Sequence, residues 1–299
     1  MQRTLRYPGF WLAVGLVGIV FACQMALTVP LELIDVVLRE QGKTALRLIR
    51  EPIVLGVVNI IALGVAIAVG LLVNRLGPRH AFPLGRIARG AWIAMVLVAL
   101  GSGVVLSEVD NAFRWVLPMP EWFAELMGDL FVAEDRFGSL FFTVVLVAPV
   151  TEELLFRGII LRGLLGRFRP WTAIVLSATL FACMHMNPWQ LIPPFALGLM
   201  FGWFYLRTGS LWPCIAGHAL NNFLFLIVTQ APFGLWEPLK KEDLVAVEFQ
   251  PWWLDFAGVT LLVLGVWLFR KNSPLPAEPV ENLPPPLAPP EDLPPVIPA

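Results

Sequence analysis

Eight apolar runs separated by short charged or proline-containing segments constrain the fold of this chain more than any other feature. They lie near 9–29, 53–74, 90–107, 138–161, 171–186, 190–207, 211–230 and 252–269. A helix rises 1.5 Å per residue and the hydrocarbon core of a bilayer is about 30 Å thick, so runs of this kind are typical of membrane-spanning helices. Hydrophobic residues make up 58% of the chain and charged residues 14%, whereas charged residues are about a quarter of a soluble domain. We therefore predict an all-α, polytopic transmembrane bundle of about eight helices, with the lipid bilayer as its surroundings.

The runs and their polar residues divide the chain into four parts. Residues 1–137 hold the first three runs and an acidic segment, and residues 138–230 hold the intramembrane polar residues. Residues 231–271 form a loop and the last transmembrane helix. Residues 272–299 are rich in proline and predict a disordered tail. The fifth and sixth runs are short and are interrupted by Asn187 and Pro188 and by the pair Pro193 and Pro194, which membrane helices tolerate where neighbouring protein satisfies the freed backbone groups.

Two segments near the N-terminus have a second interpretation. The first run, with its preceding arginines and Cys23, faintly resembles a cleaved lipoprotein signal, but its apolar length of about 20 residues favours a retained span. Residues 30–52 mix basic and acidic groups with apolar ones. This composition predicts an amphipathic segment that lies along the membrane interface.

The distribution of lysine and arginine predicts the orientation, because cytoplasmic loops carry the excess of positive charge. Basic residues precede the first run and follow the second, fourth, sixth and eighth, whereas the segment 108–137 is mainly acidic. The basic positions given at the end of this paragraph all fall on one side if both termini are cytoplasmic, whereas the loop 30–52, with Arg39, Lys43, Arg47 and Arg50, disagrees. We therefore expect an integral protein of a bacterial cytoplasmic membrane, with both termini cytoplasmic. The basic positions are Arg3, Arg6, Arg75, Arg79, Arg86, Arg89, Arg162, Arg167, Arg169, Arg207, Arg270 and Lys271.

Glu152, Glu153 and Arg157 lie inside the fourth apolar run, where a charged side chain costs roughly 2.5 to 3.5 kcal/mol. Glu153 and Arg157 are four residues apart, so they can pair on one face of a helix. Glu152 lies about 100° round the helix from Glu153, where a second helix can meet it and where its carboxylate can act as a general base. The alternative is an ordinary helix start after Pro149, with Thr151 as N-cap and the acids in the first turn.

His185 and His218 are the two histidines of the apolar second half of the chain. His185 ends the fifth run, one helical turn after Phe181; the alternative to a functional role is a terminal histidine that reaches an interface. His218 precedes Asn222 by four residues, so both offer polar groups on one face, as a pair of ligands or of oxyanion donors. Asn221 is a poorer substitute for Asn222. Structural hydrogen bonding between helices is the alternative for this pair.

These three blocks together resemble the CAAX protease and bacteriocin-processing enzyme (CPBP/Abi) family of intramembrane proteases. The family pattern of two glutamates, three residues and arginine matches Glu152, Glu153 and Arg157. Phenylalanine, three residues and histidine match Phe181 and His185, and histidine, three residues and asparagine match the last block. The resemblance covers about 138–226, in the family's order, and identifies residues 138–230 as the protease core.

The resemblance implies a role for each matched residue. Glu152 and His185 would activate a water molecule, and His218 and Asn222 would stabilise the oxyanion. Glu153, Arg157 and Phe181 would support the site. The chain would then be an endopeptidase that hydrolyses a peptide bond near the cytoplasmic side of the membrane, on CAAX-type or bacteriocin-like substrates. Its partners would be a peptide or membrane-protein substrate and the bilayer, with no nucleic acid.

Three alternatives to this mechanism remain at the level of the sequence. Glu152, His185 and His218 meet the three-ligand count of a catalytic zinc site, which would make the enzyme a metalloprotease. We favour the glutamate-type, cofactor-free version, because Arg157 already places a positive charge there. A non-catalytic peptide-binding or bacteriocin self-immunity protein is the second alternative. A proton-coupled transporter is the third, although the polar residues occur in one half of the chain and not in two repeats.

Overall fold

The computed structural model describes residues 8–42, 48–131, 136–230 and 246–274, and no β-strand occurs in these ranges. Ten helices carry the fold, together with short 3₁₀ turns at Leu48–Arg50 and Pro188–Gln190. The helices are α1 Phe10–Glu40, α2 Pro52–Asn74, α3 Pro78–Ala81, α4 Arg89–Val116, α5 Glu121–Phe131, α6 Phe137–Leu165, α7 Pro170–Met184, α8 Ile192–Thr208, α9 Trp212–Gln230 and α10 Trp252–Asn272.

Each of the eight apolar runs forms one of these helices, which confirms the all-α membrane fold. Six of them, α1, α2, α4, α6, α9 and α10, are long and apolar enough to cross a bilayer. The other two, α7 and α8, have 15 and 17 residues. At 1.5 Å per residue they extend about 22 and 25 Å, less than the 30 Å of the hydrocarbon core. The connection between them begins at His185, and its Trp189 donates from Nε1 to the backbone oxygen of Pro118, just after α4, at 3.2 Å.

The structure bears on two local features of the sequence. In the segment 30–52, α1 continues through Pro30 to Glu40 and buries Asp35, residues 43–47 lie outside the described residues, and the position of the segment at the interface stays a prediction. A helix start at Pro149 and Thr151 is excluded, because α6 begins at Phe137. The hydroxyl of Thr151 donates to the backbone oxygen of Val147 one turn earlier (2.9 Å), as a residue inside a helix does. The predicted disordered tail lies outside the described residues, except for 272–274.

Helix α6 lies at the centre of the bundle and is buried on several faces. Leu155, Phe156, Ile159, Ile160 and Leu161 have no exposed surface. Two stretches of α6, Phe141–Val147 and Leu154–Leu161, have π-helical hydrogen bonding and flank the six residues Ala148–Glu153. Such widened turns often occur at functional sites, because they rotate the following side chains relative to a regular helix.

Glycines allow two helix pairs to approach closely. A Cβ atom on Gly101 of α4 would lie 2.4 Å from the backbone nitrogen of Leu262 in α10, so only glycine fits this contact. A Cβ atom on Gly198 of α8 would lie 2.9 Å from Ala178 in α7. Small residues that bring backbones together are typical of membrane helix pairs. The second contact fixes α8 against α7 beside the polar residues of α6.

Most basic residues lie at one end of the bundle and most acidic residues at the other, as the sequence predicted. At one end the hydroxyl of Ser210 donates to the backbone oxygen of Gly85 (2.8 Å), and Arg162 donates to that of His80. We call this the basic end. It contains Arg75, Arg79, Arg86, Arg89, Arg162, Arg167, Arg169, Arg207, Arg270 and Lys271. At the acidic end Arg50 pairs with Asp129, and Arg136 pairs with Glu51 at 3.2 Å. Which end faces the cytoplasm stays a prediction.

Candidate active site

A single carboxylate oxygen connects the first and third motifs. Oε1 of Glu153 accepts a hydrogen bond from Nη1 of Arg157 at 2.9 Å and lies 3.0 Å from Nδ1 of His218. Glu153 and Arg157 have no exposed surface, and His218 is 5% exposed. The pair between Glu153 and Arg157 is therefore present as the spacing predicted. Glu153 also orients a histidine from another helix, which the spacing did not indicate.

Arg157 joins three helices at the base of the site. Its Nη2 donates to the backbone oxygen of Gly198 in α8 at 3.1 Å. Its guanidinium carbon lies 4.8 Å from the ring centre of Phe181 in α7 and 5.4 Å from that of Phe201 in α8. A cation over aromatic faces is stabilised by their quadrupoles, most strongly where water is excluded. Arg157 thus compensates the charge of Glu153 and holds α7 and α8 against α6.

The imidazole of His218 is fixed by aromatic rings as well as by Glu153. Phe201 stacks on it with a centroid distance of 5.2 Å and an interplanar angle of 20°, and Phe181 meets it edge-on at 5.8 Å. Because a carboxylate only accepts hydrogen bonds, the short contact with Glu153 requires a proton on Nδ1. The other ring nitrogen, Nε2, is then directed toward Oε2 of Glu152, at 3.9 Å.

Glu152 presents an unused carboxylate oxygen at this point. The residue is 8% exposed, and its Oε2 is buried without a hydrogen-bond partner in the described part of the chain. The 3.9 Å to His218 Nε2 is too long for a direct hydrogen bond. A buried carboxylate oxygen normally has a partner, since an unmade hydrogen bond at a charged group is costly. The geometry therefore leaves Glu152 available to a third polar group.

His185 lies at the end of α7 and interacts electrostatically with Glu152, as His218 does. Its Nδ1 is 3.0 Å from the backbone oxygen of Phe181, one turn earlier, so Nδ1 donates and Nε2 is the acceptor. The ring of Phe181 meets the ring of His185 edge-on at 5.2 Å. Phe181 thus contacts both histidines and Arg157, as a residue that supports the site would.

Asn222 makes a different contact from the one its motif suggested. Its Nδ2 donates to the backbone oxygen of Val144, in the first π-helical stretch of α6, at 2.8 Å. This bond connects α9 to α6 and satisfies a carbonyl of the widened turn. Asn221 donates to the backbone oxygen of Gly217 within α9. The side chain of Asn222 has a second N–H, and its role as an oxyanion donor stays a prediction.

Phe201 and Gly198 are the site residues that the sequence did not indicate. A phenylalanine in an apolar membrane run carries no signal of its own, so its stacking on His218 was not predictable. Gly198 and Gly202 do show a signal: small residues four apart are typical of close helix packing. That pattern predicts the approach of α8 to α7, although not the hydrogen bond from Arg157.

A zinc site would need three potential ligands that lie close together. Within the ranges that the structure describes, no three His, Cys, Asp or Glu side chains are grouped so that they could hold a metal ion. Whether the reaction needs a metal stays a prediction, and no step of the chemistry is assigned to one.

Comparison with known proteins agrees with the motifs. Residues 136–224 match the family model described as type II CAAX prenyl endopeptidase Rce1-like. The chain is also 30% identical over 87 residues to the Bacillus subtilis (strain 168) protein named "Putative membrane peptidase YdiL". That alignment covers 29% of this chain and 36% of the relative, so the chain matches about a third of the relative's length. No solved structure shows a significant match. The matched segment holds all seven motif residues, and the resemblance of this part of the chain to CAAX-type proteases is therefore confirmed.

Proposed function

We propose that this protein is an intramembrane endopeptidase that uses Glu152 as the general base. The observation that carries the proposal is the buried Oε2 of Glu152, which has no hydrogen-bond partner among the described residues and faces His218 Nε2 at 3.9 Å. A water molecule that enters this position would donate one proton to Glu152 and be oriented by the acceptor nitrogen of His185. The family match supports a membrane protease.

The reaction would proceed in two proton-balanced steps. In the first, Glu152 takes a proton from water while the hydroxide oxygen bonds to the scissile carbonyl carbon, and the carbonyl oxygen becomes an oxyanion. In the second, the carbon–nitrogen bond breaks, and Glu152 returns its proton to the leaving amine nitrogen. Positioned acid–base groups of this kind contribute roughly 10²- to 10⁴-fold in rate.

The oxyanion would be stabilised by His218 Nε2–H and by the second N–H of Asn222. For this role His218 must carry protons on both ring nitrogens. Glu152, Glu153 and Arg157 together have a formal charge of −1, and an imidazolium at His218 makes the buried group neutral. A neutral group is favoured there, because an unbalanced charge is costly in a medium of low polarity. The imidazolium would lie between the two adjacent carboxylates.

The substrate would be a peptide associated with the membrane, as the family description suggests. His218 is the seventh residue of α9, so it lies roughly 9 Å from the basic end, and His185 follows α7 at about 22 Å. We propose that the basic end is cytoplasmic and that an unfolded peptide tail reaches the site from that side. Family membership further suggests CAAX-like tails or bacteriocin precursors as candidate substrates. We also propose that the reaction needs no metal.

The test compares Glu152→Gln with the unchanged protein, full-length and in lipid nanodiscs. A quenched fluorescent peptide with a prenylated CAAX tail reports both cleavage and binding. We expect cleavage to fall roughly 10²- to 10⁴-fold, with binding and unfolding unchanged. Glu125→Gln, an exposed acid on α5, is the matched control and should cleave normally. Cleavage by Glu152→Gln at the normal rate would overturn the assignment, and a protein that binds but never cleaves would be a peptide-binding protein instead.

A further inference from the structure

A shallow groove on the outer face of α10 runs toward the basic end. Its volume is about 550 Å³, and it is lined by Leu262, Val263, Val266, Trp267, Arg270 and Lys271. The spacing of these residues follows one face of a helix, and nine residue steps correspond to about 14 Å. This is close to half of a 30 Å hydrocarbon core, the depth of one leaflet. Val263 is 62% exposed and Trp267 is 56% exposed, so the face is directed toward the membrane.

Positive charge converges where this groove meets the basic end. Arg270 and Lys271 are exposed in the last turn of α10, and Arg207 of α8 donates from Nη2 to the backbone oxygen of Arg270 at 2.7 Å. Nε of Arg207 is buried without a hydrogen-bond partner in the described part of the chain. The groove therefore ends at two side-chain cations of α10, Arg270 and Lys271, and Arg207 contacts the backbone of the same turn.

No carboxylate compensates these cations in the neighbouring segments. The described segments at the basic end, 75–89, 162–170, 207–212 and 270–274, contain no Asp or Glu. The negative end of the α10 dipole offers only about half a charge. Among the described residues no side chain offers the negative charge that would complement this end of the groove. Trp267 lies beside it, with the Lys271 ammonium 5.4 Å from its ring. Tryptophan and basic residues together are typical of the headgroup level of a membrane.

We propose that this groove is a binding site for an anionic phospholipid, independent of the proposed peptidase function. One acyl chain would lie along Leu262, Val263 and Val266, and the ring of Trp267 would pack at the glycerol level. Arg270 and Lys271 would hold the phosphate. A zwitterionic lipid would fill the same apolar groove, but its own positive group would offset the attraction of the cations.

Native mass spectrometry of the full-length protein tests this site. The protein is titrated with phosphatidylglycerol or phosphatidylcholine of the same acyl chains, and the bound lipid is counted. The double variant Arg270→Gln/Lys271→Gln removes two cations from the groove. The control Arg79→Gln/Arg86→Gln removes two exposed cations from the same end. We expect the groove variant to bind phosphatidylglycerol about 30-fold more weakly, which corresponds to about 1 kcal/mol for each cation, and the control to bind it normally.

Three results would overturn the proposal. Equal weakening by both double variants would show a general attraction to the basic end. Equal binding of the two lipids by the unchanged protein would show an apolar surface without headgroup recognition. Inorganic phosphate that displaces phosphatidylglycerol at equal concentration would show a site for a free anion instead of a lipid.

Discussion

The strongest quantitative prediction concerns Arg157, whose contacts are all buried. Replacing it by methionine keeps a long flexible side chain but removes the charge. Glu153 would then retain only His218 as a partner, and the donor to the backbone oxygen of Gly198 would be lost. The variant therefore leaves a buried carboxylate without its guanidinium while the apolar volume is largely kept.

Removing one partner of a buried ion pair costs about 3–5 kcal/mol, because the remaining charge stays desolvated. The side chains of both Arg157 and Glu153 are 0% exposed, so the full range applies and is not reduced by solvent screening. The two ring contacts of Arg157 add to the loss, at roughly 0.5–2 kcal/mol each, although such terms are not additive. We expect Arg157→Met to lower the free energy of unfolding by about 3–5 kcal/mol.

Neutralising Glu153 as well should reverse part of this loss. In Glu153→Gln/Arg157→Met no buried charge remains unpaired at this position, and the amide oxygen of the glutamine can still accept from His218 Nδ1. Replacing both members of a buried pair by neutral groups is often close to neutral in free energy. We expect the double variant to regain at least about 1 kcal/mol relative to Arg157→Met, and this coupling is the signature of the pair.

Reversible unfolding in mixed micelles, followed by tryptophan fluorescence, measures these differences. The control is Arg114→Met on α4. Arg114 pairs with Asp110 at the same spacing of four residues and at the same distance of 2.9 Å, but the two side chains are 16% and 27% exposed. A partly exposed pair contributes about 0–1 kcal/mol. The reasoning is refuted if Arg157→Met costs less than about 1 kcal/mol, or if Arg114→Met costs as much.

The remaining predictions concern Phe201, whose ring stacks on His218, and the need for a metal. Phe201→Leu removes the ring that stacks on His218. In protein labelled with ¹⁵N at histidine, the imidazole ¹⁵N shifts of His218 should therefore change, whereas those of His80 should not. The value of kcat should fall about 10-fold or less, with KM unchanged. Unchanged shifts would exclude a positioning role for Phe201. Exhaustive chelation with EDTA and phenanthroline should leave peptidase activity intact; a loss that added zinc restores would establish the metal-dependent mechanism.

The sequence predicted the membrane helices well because the bilayer sets a physical length that apolar runs must meet. All eight runs became helices, and the separation of basic and acidic residues reappeared at opposite ends of the bundle. The structure also excludes the alternative helix start at Pro149 and Thr151. Pro30 and Pro149 both lie within continuous helices, because an apolar helix inside a bundle continues through residues that would interrupt it in water.

The sequence predicted which residues form the candidate site better than it predicted which groups they contact. Glu152, Glu153, Arg157, His185 and His218 were selected by their charge, since few physical reasons place such groups in an apolar run. Their partners were less visible, because a backbone oxygen at Gly198 or Val144 leaves no mark in the sequence. The π-helical stretches of α6 were also not predictable, because they depend on tertiary packing and not on residue type.

The structure also changes the interpretation of the paired glutamates. The spacing suggested a division of labour in which Glu153 stabilises the helix with Arg157 and Glu152 acts alone. Glu153 instead contacts one nitrogen of His218, and Glu152 faces the other. Consecutive helix residues project about 100° apart, so adjacent acids can approach the two sides of an imidazole supplied by another helix. A single acid could either accept the hydrogen bond that orients the imidazole of His218 or stay available to bind a water molecule, but not both. In the proposed mechanism, two in succession would balance a charge on His218 while one carboxylate oxygen stays unbonded, which is the arrangement that a buried base requires.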